Sequence, residues 1–117
     1  MVYEQILNGA ITPNFARKNL ASELKKLDEV IVTPRTIQNM LEKYLNNSVS
    51  ARELSEWASF LITSDVYVCP DWKNDDKAEK YEAMWYVLQQ ISSPEIDGEI
   101  TTERTIEHIN ILSQIKT

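Results

Sequence analysis

Apolar residues recur at helical spacing in five stretches of the chain. After Thr12-Pro13, Ala16, Leu20, Leu24, Leu27 and Ile31 fall on one face, with Lys18, Lys25 and Lys26 on others. After Thr33-Pro34 the stripe is Ile37, Met40, Leu41, Tyr44 and Leu45, and Asn46-Asn47 ends it. After Ser50, Leu54, Trp57, Ala58, Leu61 and Ile62 repeat the pattern. A fourth helix over about residues 75–91 turns Ala78, Tyr81, Met84, Trp85, Leu88 and Ile91 inward. A fifth follows Thr101 or Thr102 and uses Ile106, Ile109, Leu112 and Ile115. The first ten residues fit a short helix or a strand. The pattern predicts an all-α fold, a compact bundle of about five helices forming a single domain over residues 1–117.

Four of these helices begin with the same phrase, a β-branched apolar residue followed by Ser or Thr: Ile11-Thr12, Val32-Thr33, Val49-Ser50 and Ile100-Thr101. A Ser or Thr at the N-cap accepts a hydrogen bond from a free first-turn amide. Proline suits the next position because no amide donor is needed there. Ser50 with Glu53 has the spacing of a capping box, and Val32/Ile37 and Val49/Leu54 that of hydrophobic staples. The longest connection, Thr63–Asn74, holds Val66-Tyr67-Val68, Cys69-Pro70 and two aspartates.

Composition narrows the classes of function. The 117 residues are 43% hydrophobic and 26% charged, with two glycines, ordinary values for a folded domain. The N-terminal residues lack a signal-peptide pattern and no apolar run is long enough to span a bilayer, so a cytoplasmic protein without membrane contact is expected. Cys69 is alone, which excludes an intramolecular disulfide or a cysteine-rich zinc site. His108, the only histidine, sits mid-helix without a nucleophile–base partner in view, and reads as a surface or partly buried helical residue. An EF-hand started at Asp71 fails, since Lys73 takes its third position and Asp76 its glycine position. No cofactor, metal or catalytic set is therefore expected.

Charge is strongly asymmetric. Residues 53–107 hold thirteen acidic residues against four basic ones, while the whole chain carries −6. That balance opposes direct nucleic-acid binding, including a helix-turn-helix reading of the second and third helices. Several of these acids, Glu53, Asp75 and Glu103 among them, fit helix starts, where carboxylates favour the dipole. Around the fourth helix, acids and aromatics coincide: Asp75, Glu79, Glu82 and Tyr86 follow spacings that align them on one face, with Asp65, Tyr67, Asp71 and Trp72 just upstream. A solvated polar face explains such a stripe. So does a partner-binding surface in which aromatics anchor and carboxylates steer a basic protein. These eight residues are the candidate contacts.

The segment Leu41-Glu42-Lys43-Tyr44-Leu45-Asn46-Asn47-Ser48-Val49-Ser50-Ala51-Arg52-Glu53-Leu54 resembles the small bacterial immunity proteins that neutralise toxins, especially the colicin D immunity-like group. Glu79–Ile91, then Ile96-Asp97-Gly98-Glu99-Ile100-Thr101 and a closing helix, are also similar, so the resemblance spans roughly residues 37–115. It implies a cytoplasmic, non-enzymatic antidote whose acidic surface occupies the basic cleft of a tRNA-cleaving, nuclease-type toxin domain. The rival expectation is a helical adaptor or regulatory subunit that binds through an apolar groove and has no toxin link.

Overall fold

The computed structural model describes residues 2–24 and 29–115. The chain is mostly helical, with eight α-helices and one two-stranded sheet among the described residues. Helices α1 (Val2–Leu7) and α2 (Pro13–Asn19) lead, through a 3-10 turn at Ala21–Glu23, to strand β1 (Val30–Ile31). Helices α3 (Pro34–Leu45) and α4 (Ala51–Thr63) follow, then strand β2 (Tyr67–Val68). The chain continues through α5 (Asp75–Ala78), a 3-10 turn (Glu79–Tyr81), α6 (Glu82–Ser92), α7 (Pro94–Asp97) and α8 (Thr102–Ser113).

All four expected caps form. The side-chain oxygens of Thr12, Thr33, Ser50 and Thr101 accept from the amides of Phe15, Thr36, Glu53 and Arg104, at 3.0, 3.3, 3.0 and 3.2 Å. The Glu53 carboxylate returns a bond to the Ser50 amide at 2.9 Å and completes the capping box. These contacts fix where α2, α3, α4 and α8 begin. Packing of α4 on α6 and of α3 on α8 then buries their apolar faces around one core that includes Ile37, Leu41, Leu54, Trp57, Met84 and Leu88.

Trp57 ties the N-terminal segment to that core. Its indole Nε1 donates to the carbonyls of Ile6 and Leu7 at 3.0 and 3.3 Å, so a fully buried donor is satisfied and the open end of α1 is capped. The N-terminal stretch is thus a helix, the first of its two expected alternatives. Tyr3, Phe60 and Tyr67 form an aromatic cluster beside it, with ring centroids 5.9–6.2 Å apart. No helix among the described residues is long and apolar enough to cross a membrane.

Three sequence expectations need correction. The helix after Thr12 stops at Asn19 instead of running to Ile31, and Leu27 lies outside the described residues. Val30, Ile31 and Val32 are β-branched and extended: β1 pairs in parallel with β2, and the Val30 and Val32 amides donate to Val66 and Val68 carbonyls at 2.8 Å. On α8, Ile106 is 47% exposed, while Thr105 and His108 turn inward beside Leu112. Both polar groups are satisfied there, Thr105 Oγ1 by the Thr101 carbonyl at 2.7 Å and His108 by Gln90, which removes the usual penalty for burying them. On α4 Ile62 faces solvent and Phe60 is buried in its place.

Candidate protein-binding site

The turn that leads into α5 is built by polar residues. Asp71 adopts a left-handed backbone (φ 57°), which a short polar side chain tolerates better than a bulky one, and its carbonyl accepts from the Asn74 amide at 2.9 Å. Asn74 in turn caps α5, its Oδ1 accepting from the Lys77 amide at 3.2 Å. Asp75 and Asp76 are thereby set in the first turn, where the helix dipole favours them. Trp72 is left 38% exposed at the tip of the turn, and the Lys73 ammonium lies 5.3 Å from its ring centroid.

Beyond α5 the chain does not keep a regular α-helix. A 3-10 turn at Glu79–Tyr81, where Tyr81 leaves helical geometry (φ −91°, ψ 3°), separates α5 from α6 and breaks the single helix expected over residues 75–91. The expected continuous stripe is therefore a band interrupted at that turn. Tyr81 points into the core at that turn, and its buried ring carries the Lys80 ammonium 5.3 Å from the centroid. Asp71, Asp75, Glu79 and Glu82 are all exposed along the band, and Tyr86 closes it at 57% exposure. Asp65 is also exposed, at the opposite end of β2 from Asp71.

Tyr67 does not belong to this surface. It is 5% exposed, and its hydroxyl donates to the Tyr3 carbonyl at 2.6 Å. Burial, with Tyr3 adding to it, pushes the phenol well above its ordinary range. Pairing with β1 turns the ring toward the aromatic cluster, so Tyr67 is a core residue and not a partner contact.

One arrangement at the band's edge is absent from the sequence reading. Gln90 Nε2 donates to the Tyr86 hydroxyl at 3.0 Å, while Gln90 Oε1 accepts from His108 Nε2 at 2.9 Å. This amide orientation places the imidazole proton on Nε2 and leaves the Tyr86 O–H free to donate outward. Burial, followed by the nearby Arg104, holds the His108 pKa below its usual value, against a smaller opposing effect of Glu107. The Tyr86/Gln90 spacing of four residues was visible in the sequence; the crossing of α6 by α8 that supplies His108 was not.

Electrostatically the band is free. Among the described residues the one ion pair is Arg52–Glu56, at 3.1 Å on α4. Two of the three lysines between Asp65 and Tyr86 rest on aromatic rings instead of carboxylates. Among the described residues no group of three His, Cys, Asp or Glu side chains is placed to hold a metal ion, and Cys69 is a buried free thiol. No family model matches the chain, and neither curated proteins nor solved structures give a significant match.

Proposed function

We propose that this protein is a cytoplasmic immunity protein that binds and neutralises a nuclease-type toxin domain through the face formed by Asp71, Trp72, Asp75, Glu79, Glu82 and Tyr86. The observation that supports this most is a band of exposed carboxylates, outside any ion pair among the described residues, bracketed by two exposed aromatic rings. A nuclease needs a basic cleft for its phosphate substrate, and carboxylates spaced along a helix compete for the same Lys and Arg side chains. Trp72 and Tyr86 supply apolar area and the free Tyr86 O–H a directional donor, the usual make-up of an interface hot spot. The protein acts by occupying the cleft, without a catalytic step or cofactor of its own. The sequence resemblance to colicin D-type immunity proteins points the same way.

The test is affinity capture from source cells with the full chain at low and high salt, followed by a nuclease assay of the captured protein. A basic, RNA-cleaving partner that salt releases, and whose cleavage an equivalent of the chain suppresses, is the expected result. Glu79→Lys with Glu82→Lys should weaken capture by about tenfold or more at low salt while leaving the fold intact, because both side chains are exposed. Unchanged affinity of that double variant would sink the site assignment. A partner without nuclease activity would overturn the toxin reading and favour the helical adaptor, whose binding through apolar surface should ignore salt.

A further inference from the structure

We infer a second recognition site, the groove between the start of α4 and the α7–α8 connection, which takes an apolar side chain carried on a basic segment of a protein partner. This rests on the groove itself and not on the toxin reading. Ala51, Arg52, Ser55 and Glu56 line one side of this open groove and Pro94, Glu99 and Ile100 the other, around about 460 Å³. Concave sites that hold ligands commonly span about 300–1,000 Å³ and are mainly apolar with a few polar groups.

The groove is preformed. Gly98 has φ 106°, a conformation that favours glycine, and an added Cβ would come 2.6 Å from the Arg104 guanidinium. Arg104 Nη1 donates to the Glu99 carbonyl at 3.2 Å, and the Tyr44 hydroxyl to the Ile100 carbonyl at 3.2 Å. Ser55 Oγ donates to the Ser92 carbonyl at 3.4 Å and so ties α4 to the end of α6. Two successive loop carbonyls are thus already engaged, so an occupant is held by its side chain and not by strand addition.

The occupant's chemistry follows from the rim. Ile96, 81% exposed, shares α7 with Pro94 and is the most exposed large hydrophobic side chain among the described residues. Around it Glu95, Asp97 and Glu99 are exposed. Arg52 is paired with Glu56, and the carboxylates of Glu95, Asp97 and Glu99 outnumber the remaining Arg104 guanidinium, so the net charge at the rim is negative. A second copy of the chain would oppose these carboxylates with their own duplicates. Lys or Arg flanking an apolar residue complements both features.

The probe is a short synthetic peptide of alternating lysine and leucine, titrated into isotope-labelled full-length protein while backbone amide shifts are followed. Saturable shifts at Ala51, Ser55 and Ile100 are expected, lost with a glutamate–leucine peptide and with a lysine–serine peptide. Ile96→Ser and Glu99→Lys, both at exposed positions, should each lower the affinity by about tenfold. Shifts confined to Asp75–Tyr86, or equal binding of the lysine–serine peptide, would overturn the site. So would a concentration-dependent dimer abolished by Ile96→Ser, which would give the groove to a second copy. Because the amides at the groove and the Glu79/Glu82 variant report on different surfaces, either proposal can fail alone.

Discussion

His108 shows how the stability of the fold comes to depend on pH through one residue. In the folded protein its imidazole is buried, donates to Gln90 and has a lowered pKa, with burial the main cause. An unfolded chain binds a proton at that ring near the ordinary histidine pKa of about 6.5. The folded chain binds it only at lower pH. As pH falls through about 6.5 the unfolded state therefore gains protons first, and the stability of the fold declines until the folded-state pKa is passed. Urea unfolding between about pH 7.5 and 5 should show this decline, and His108→Gln should flatten it. An unchanged slope in the variant would remove His108 as its source. The sequence placed His108 on a helix, but its burial depends on Gln90, which α6 brings from eighteen residues away. Tyr67 failed for a related reason: an aromatic between two valines in an acidic segment looks the same whether its ring faces solvent or core.

At the scale of elements, legibility follows the range of the determining contact. A cap is written within four residues, so Thr12, Thr33, Ser50 and Thr101 each announced a helix start that the structure contains. Of these the Ser50–Glu53 box satisfies two backbone amides, and Ser50→Ala should cost about 1 kcal/mol, within the usual range of about 0.5–2 for a lost cap. The urea midpoint should fall while the denaturant slope stays constant; no change would show that packing of α4 alone sets its start. The β1–β2 pair has no comparable local signature. Two residues leave no alternation to detect, and the partner strand lies on the far side of α3 and α4. Helical spacing from Ala16 to Ile31 matched a template that the β-branched Val30-Ile31-Val32 run then escaped by pairing. The 3-10 turn at Glu79–Tyr81 was likewise hidden, since its residues are ordinary helix formers and the tightening accompanies burial of Tyr81.

For the whole molecule, charge acts on folding and on binding with opposite signs. The chain carries −6, and among the described residues a single ion pair, Arg52–Glu56, brings opposite charges into contact. Repulsion among exposed carboxylates on α5–α8 therefore opposes the compact state, and a surface ion pair of the Arg52–Glu56 kind contributes little. Raising salt from about 0.02 to 0.3 M shortens the screening length to below about 10 Å and weakens that repulsion, so the urea midpoint should hold or rise. Capture of a basic partner by the Trp72–Tyr86 face should weaken over the same range, because the attraction between the two proteins is screened as well. A fold that loses stability with salt would mean that the lysines near Asp75, Glu79 and Glu82 pair with these carboxylates in solution. The acidic band would then be internally neutralised, and the leading role would pass to the groove between α4 and the α7–α8 connection, where an apolar contact adds to the charge.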